Sequence, residues 1–338
     1  MKAGKIISIV VVSLATLVLV AAGAGLMVVF GLSKIGKQQN FAPPAGQQAV
    51  SPAGNIILYS QLNGSSSFLY RRDVSGGPKV RLTKAQTGIE SEPSFSHDGK
   101  RVVYSFGVSP DSKSAIWLVG SDGSNPHIIS DPEQDALHPA FSPDDSKVFY
   151  AASSFTGRYS PVVRPARHDW DVFSVPLGPQ ETTGGAASTQ ITRSSFYDLQ
   201  SLDVVGDDQG GTKLLVSTTG YPIGALIEEF YLGAPGRDKI FQPHVPGEPS
   251  VVGPAFGGAY FIHNGRDILF LAATNMNGGN FDYNVYSMSD VTGSEIKQLT
   301  RLKGMTKDLR AIPGDKALFE NGGVIYLLDI NTQAAKPI

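Results

Sequence analysis

The sequence predicts an all-β domain of repeated four-stranded units behind a single N-terminal transmembrane helix. Three observations carry this: a long uncharged apolar run near the N-terminus, an internal repeat that aligns without gaps, and short β-branched endings that recur along the rest of the chain.

The apolar run is Ile6 to Leu32, "IISIVVVSLATLVLVAAGAGLMVVFGL", with only Ser8, Ser13 and Thr16 as polar interruptions. As a helix it reaches roughly 40 Å at 1.5 Å per residue, more than the ~30 Å hydrocarbon core of a bilayer requires. The alternative is a cleaved signal peptide with "AAGAG", Ala21–Gly25, as its cleavage region. The run continues through "LMVVFGL", beyond the ~7–15 residues of a signal's apolar stretch, which favours an uncleaved anchor in the lipid bilayer. Lys2 and Lys5 precede the span and Lys34 and Lys37 follow it, so the charge rule discriminates weakly. The α-amino group tips the balance to a cytoplasmic N-terminus with the remainder extracytoplasmic, periplasmic or extracellular. The expected organisation is an anchor over 1–32, a Gln-, Pro-, Ala- and Gly-rich linker over 33–48, and a folded domain over 49–338.

The repeat appears when "EPSFSHDGKRVVYSF" (Glu92–Phe106) is set over "HPAFSPDDSKVFYAA" (His138–Ala152). Pro93 meets Pro139, Phe95 meets Phe141, Ser96 meets Ser142, Asp98 meets Asp144, Val102 meets Val148 and Tyr104 meets Tyr150. Each copy reads as a short strand, an Asp/Gly turn and a β-branched, aromatic strand, which is a hairpin. A second strand pair follows, as in "SAIWLVGSDGSNPHIIS" (Ser114–Ser130) and "NVYSMSDVTGSEIKQLT" (Asn284–Thr300). No helical period occurs among them. The units end at "RLT" (Arg81–Thr83), "IIS" (Ile128–Ser130), "QIT" (Gln190–Thr192), "KIF" (Lys239–Phe241), "QLT" (Gln298–Thr300) and the C-terminal "KPI". Six units of about 40–60 residues predict a six-bladed β-propeller of four-stranded blades. A five- or seven-bladed count stays open, because the unit around "TKLLVST…LIEEFYLG…DKIF" is inferred mainly from spacing.

These motifs resemble the TolB-like propeller repeat, a WD40-like family marked by a P-x-[FW]-S-P-D-G-K turn, a strand, and an I-Y-x-x-D…G…LT ending. The resemblance runs from about Ala49 to the C-terminus. It departs at Gly257-Gly258-Ala259 and in the fourth unit, which lacks the S-P-D-G turn. It implies architecture more than activity, since such propellers serve as partner platforms, sensors, enzyme domains and lyases.

Composition narrows the function classes. A net charge of −2 with no Lys/Arg run gives no basis for a nucleic-acid partner. The absence of cysteine excludes disulfides, thiolate nucleophiles and Cys-based metal sites. Ser96-His97-Asp98 has the residue types of a hydrolytic triad, yet three consecutive residues cannot relay a proton through converging side chains. The next copy also replaces His97 by Pro143. The structural reading is an Asx-type turn in which Asp98 and Asp144 accept backbone N–H bonds and Gly99 takes positive φ. No G-x-S-x-G elbow, phosphate loop or dinucleotide motif occurs, and the six histidines are not paired at ligand spacing. Neither a catalytic set, a metal site nor a cofactor is expected. "RHDWD" (Arg167–Asp171) reads as a solvated loop leading into a strand, and Asp207-Asp208 as a turn.

Propeller geometry points to the segment before each innermost strand, which faces the mouth of the central channel. There the aligned units carry Glu92, His138 and Asp308, with Glu90, Asp135, Tyr197, Asp198, Gln200 and Arg310 nearby. A ring of mixed polar groups suits a peptide segment or small ligand. The insert "FTGRYSPVVRPARHDW" (Phe155–Trp170) has the aromatic and Arg content of a contact surface, or is an idle loop. The expected function is a membrane-anchored, non-catalytic platform in the cell envelope for a protein or peptide partner. A carbohydrate-active hydrolase or lyase with its site on the axis, and an extracellular sensor, are the alternatives.

Overall fold

The computed structural model describes residues 48–109, 112–157, 166–178, 188–220, 224–234, 236–243, 256–273 and 282–338. The chain separates into two units, Met1–Ala42 and Pro43–Ile338, and the description concerns the second. The expected membrane span and most of the linker lie outside the described residues. Among the described residues every regular element is a strand, and no helix is long and apolar enough to cross a membrane.

The strands follow one plan. In the expected second unit, Ile89–Phe95, Arg101–Gly107, Ser114–Gly120 and His127–Ile128 pair antiparallel in chain order. Asp135–Phe141, Lys147–Ser153, Asp171–Pro176 and Thr189–Gln190 do the same. So do Asp198–Gly206, Thr212–Gly220, Gly224–Leu232 and Lys239–Phe241. The last two sheets begin at Phe256–Ile262 and Thr306–Ile312 and end at Lys297–Gln298 and Ala334–Pro337. Each outermost strand overlaps one of the endings read from the sequence, most of which run on for one or two residues beyond it.

One expectation needs correction. Four of these units are separate four-stranded sheets, not six, because the first two form a single eight-stranded sheet. The join is one parallel pair, Ser67 with Ile89, backed by a 2.9 Å bond from Ser67 N–H to Gly88 O. A two-stranded hairpin, Phe155–Gly157 with Ala166–His168, stands apart within the long insert.

Two-sided burial explains the near-continuous apolar second strands. Val102 and Tyr104 pack with Leu58 and Leu69 of the first unit, while Val103 packs with Val148 and Tyr150 of the third. Phe149 and Ala151 then face Leu202 and Leu214 of the fourth. Further clusters join the fourth unit to the fifth around Phe270, the fifth to the sixth around Phe319, and the sixth back to the first through Val50, Ile57 and Leu318. Each fully buried aliphatic contributes about 1.5–3 kcal/mol. Sheet alternation thus stacks sheet on sheet, and each innermost strand touches the next, including Thr306–Ile312 against Gln48–Val50. A cavity of ≈ 330 Å³ lies at that last seam, lined by Val50, Val74, Ile312, Leu318 and Leu327 among others.

The Ser-His-Asp stretch is a turn, as expected. Asp98 Oδ1 accepts Ser96 Oγ–H at 2.6 Å and Lys100 N–H at 3.0 Å, and Gly99 has φ 71°. Asp144 repeats this with Ser142 Oγ–H at 2.6 Å and Ser146 N–H at 3.1 Å. These bonds hold the Asp144 carboxyl down at about 2. The position after Asp144 adds a clamp between units: Asp145 accepts the His97 and Asp98 backbone N–H groups, both at 2.9 Å, and lies 2.8 Å from His97 Nδ1. Asp145→Ala is expected to cost about 0.5–1.5 kcal/mol in urea unfolding by removing the acceptor of two exposed backbone donors. Unchanged stability would show that water replaces the clamp at no cost.

Candidate functional site

A β-bulge sits at the same place in five innermost strands. The pairing register shifts between Ser91 and Ser94, around Leu137 and Ala140, between Leu199 and Ser201, between Gly257 and Ala259, and between Lys307 and Arg310. The inserted residues are Glu92, His138, Gln200, Gly258 and Asp308. Four of them share one left-handed conformation, with φ 54° at Glu92, His138 and Asp308 and 53° at Gly258. A non-glycine residue there bears backbone strain of about 1–3 kcal/mol, retained where the surroundings enforce it and commonly at functional positions. The bulge turns the side chain out of the sheet's alternation and toward the ring of inner strands.

The interactions between these residues cross that ring. His138 Nδ1 lies 3.0 Å from Glu92 Oε1, and His138 N–H donates to Glu92 Oε2 at 2.5 Å. Ser105 Oγ–H also donates to Glu92 Oε2, at 3.0 Å. The other ring nitrogen, Nε2, lies 3.0 Å from the Leu199 carbonyl. Both nitrogens therefore face acceptors, which requires a proton on each, the imidazolium form. Burial alone would lower the His138 pKa, but the Glu92 carboxylate more than reverses this and raises it. Glu92 and His138 satisfy one another and link the second, third and fourth units.

Asp308 differs. Its side chain is 6% exposed and its Oδ2 has no hydrogen-bond donor. Lys307 Nζ stands 3.7 Å from that oxygen but 2.8 Å from Glu320 Oε2. Burial pushes the Asp308 carboxyl up to about 7; Lys307 opposes this, while Glu320 and, from across the ring, Glu92 add to it. Arg310, two residues on, lies over the Tyr260 ring at 5.1 Å. Its charge also reaches His138 in the third unit and Asp203 in the fourth.

The other expected residues divide. Asp198 sits beside the cluster: burial raises its pKa, countered by Gln200, whose Nε2 is 3.5 Å from Asp198 Oδ2, and by the His138 charge. Tyr197 is 39% exposed on the preceding loop. Glu90 and Asp135 do not join the ring. Glu90 Oε2 accepts Leu69 N–H at 2.8 Å and Thr83 Oγ1–H at 2.6 Å, and Asp135 Oδ1 accepts Ser114 N–H at 2.6 Å. They cap the third strand of the preceding unit. The unit-ending hydroxyls cap the same strands, since Ser130, Thr192 and Thr300 each accept a strand N–H at 2.9 Å. Asp171, expected in a solvated loop leading into a strand, opens the strand Asp171–Pro176 but is buried and accepts Thr192 Oγ1–H at 2.7 Å.

Two cluster members were not expected. Asp203 Oδ2 accepts Phe261 N–H at 2.8 Å, and burial raises its pKa. Tyr260 fills the place that glycine leaves in the fifth unit: a Cβ on Gly258 would meet Tyr260 Cε2 at 3.3 Å. Burial raises the Tyr260 pKa; Arg310 opposes this, and Asp203, Glu92 and Asp308 add to it. A charged residue inside an apolar strand, as in "SLDVV", was the available signal for Asp203. Among the described residues no group of three metal-ligating side chains converges.

No family profile matches the chain. A Tol-Pal system protein TolB of Francisella tularensis is 30% identical over 76 residues, 22% of this chain and 17% of that protein. An uncharacterized protein of Agrobacterium fabrum, Atu1656, is 31% identical over 102 residues, 30% of this chain and 34% of its own. The chain thus spans about a third or less of the curated relatives it matches. Among solved structures, TolB from Acinetobacter baumannii superposes with a TM-score of 0.55 at 14% identity, covering 84% of this chain and 64% of that one. A putative TolB from Agrobacterium tumefaciens gives 0.53 at 18%, covering 77% and 81%. Oligogalacturonate lyase from Vibrio parahaemolyticus gives 0.54 at 12%, covering 86% and 76%. Likenesses at this identity establish the fold alone, a β-propeller whose repeat motifs resemble those of the TolB proteins.

Proposed function

We propose that the chain is a non-catalytic binding platform, a six-bladed propeller that holds a protein or peptide partner at the mouth of its channel. Six successive inner strands in mutual contact, with a hydrophobic cluster at every junction, support the blade count; the eight-stranded sheet is two blades sharing one bridge. The observation that carries the binding reading is the set of strained bulges at Glu92, His138 and Asp308, which gather charged groups from four units, with Tyr260 of a fifth, around one axis. Glu92 and His138 are spent on each other, as in a rigid wall, and Asp308 and Arg310 form the receptive part. The apolar Ile6–Leu32 segment would anchor the platform, with the propeller extracytoplasmic and the N-terminus cytoplasmic.

Affinity capture from host membranes tests this, comparing the natural chain with Arg310→Glu. A discrete partner that copurifies with the natural chain and falls at least about tenfold in the variant is the expected result. Equal recovery by both would remove the channel from the interface. A second reading, carbohydrate cleavage, is favoured by the burial of the Asp308 side chain, which pushes its carboxyl up to about 7, where it can exchange a proton with a substrate. Turnover of oligogalacturonate by the natural chain but not by Asp308→Asn would select it.

A further inference from the structure

The ring of bulge residues is not equally committed around its circumference. On the side of the second to fourth units, Glu92 Oε2 accepts two donors, His138 uses both nitrogens, and Gln200 leans on Asp198. On the side of the fifth and sixth units, Gly258 supplies no side chain, and the wall is the Tyr260 ring. Beside it stands Asp308, buried on its positive-φ bulge, with an Oδ2 that receives no hydrogen bond and has Lys307 Nζ 3.7 Å away. A buried carboxylate oxygen without a donor is a costly arrangement that a cation resolves. The carboxyl groups around the axis, Glu92, Asp198, Asp203 and Asp308, outnumber the cations His138 and Arg310. Lys307, the nearest ammonium, is held at 2.8 Å by Glu320.

We propose that the channel receives a lysine or arginine side chain of the bound segment and seats its charge on Asp308, with its aliphatic stem along the Tyr260 ring. This rests on the platform reading above and names the chemistry of the partner. A long cationic side chain suits the geometry, since its stem covers apolar surface while its head meets the carboxylate. The groups facing Asp308 are Lys307 and Glu320 of its own unit, Glu92 of the second and Tyr260 of the fifth. A cation arriving there favours the ionised carboxyl, so binding strengthens as the pH rises.

The test uses the full chain and three probes: N-acetyl-glycyl-lysyl-glycinamide, its norleucyl counterpart, which keeps the stem and lacks the charge, and its glutamyl counterpart. Titration calorimetry at pH 6 and pH 8 should show binding of the lysyl peptide alone, tightening about tenfold as a group titrating near 7 goes from about one-tenth to nine-tenths ionised. Asp308→Asn should abolish that pH dependence and weaken binding at least about tenfold. Equal binding of lysyl and norleucyl peptides, an unaltered pH profile in Asp308→Asn, or no binding by the natural chain would each overturn the proposal. If the lysyl peptide fails while partner capture still depends on Arg310, this proposal falls and the platform stands. If capture is also independent of Arg310, both fall.

Discussion

Replacing Lys213 with methionine is expected to destabilise the propeller by about 3–5 kcal/mol, the usual consequence of removing one member of a buried ion network. Lys213 Nζ lies 2.8 Å from Glu229 Oε1 and 2.7 Å from Asp290 Oδ2, and donates to the Gly265 carbonyl at 2.5 Å. Lys239 completes the network at 3.2 Å from Glu229 Oε2. Glu229 is fully buried, and Lys213 and Asp290 are 6% and 7% exposed. Burial alone would lower the Lys213 pKa, but bonds to Asp290 and Glu229 raise it, so the ammonium is the stable form. Two lysines and two carboxylates make the group neutral, and Lys213→Met leaves an uncompensated carboxylate between the fourth and fifth units. Urea unfolding of Lys213→Met and of the double change Lys213→Met with Glu229→Leu separates the causes. The double variant retains Asp290 with Lys239 and should lose less than the single one. A larger loss in the double variant would mean that packing, not charge balance, is what Lys213 supplies.

This network shows why part of the fold could not be read from the chain. Asp290 lies 77 residues beyond Lys213, and no local pattern marks a strand lysine as buried. Turn chemistry, by contrast, is local and was readable. Ser96, Asp98 and Gly99 specify their turn with bonds spanning a few residues. The fourth unit has the same frame in other letters. Asp207 N–H bonds Gly211 O at 2.9 Å, as Ser96 N–H bonds Arg101 O at 3.0 Å. Asp207 Oδ1 then accepts Gln209 and Gly211 N–H groups, one side chain replacing Ser96 and Asp98 together. Gly257-Gly258-Ala259 likewise departs from the repeat only in letters, because Gly258 occupies the shared bulge at φ 53°.

The candidate site was partly readable for the same reason. Glu92, His138 and Asp308 fall in one column of the repeat, and a column shared by a repeat is a shared backbone position. Which column members meet is a matter of closure around the axis, invisible to spacing. Glu90 and Asp135 neighbour that column, yet their carboxylates turn to backbone donors of the preceding unit. In an unbroken strand Glu90 and Glu92, two residues apart, would share a face, and the bulge is what redirects Glu92.

Asp308→Asn is expected to stabilise the propeller at neutral and higher pH, with the gain disappearing in acid. The folded-state carboxyl titrates at about 7, against an ordinary value of 3.8, so between these values the folded chain holds a proton that the unfolded chain has released. Stability therefore falls as pH rises through that window, the reverse of a salt-bridged carboxylate. At 1.36 kcal/mol per pH unit the full difference is about 4 kcal/mol, reached above pH 7 and absent below about pH 4. Asparagine keeps the shape and lacks the charge, so unfolding free energies of the two chains should converge near pH 4 and separate by a few kcal/mol at pH 8. A constant difference across that range would mean that Asp308 is ionised throughout and compensated by Lys307. A cation bound at Asp308 would cancel the same cost by keeping the carboxyl ionised. Saturating lysyl peptide should therefore flatten the pH dependence of the natural chain and leave that of Asp308→Asn unchanged.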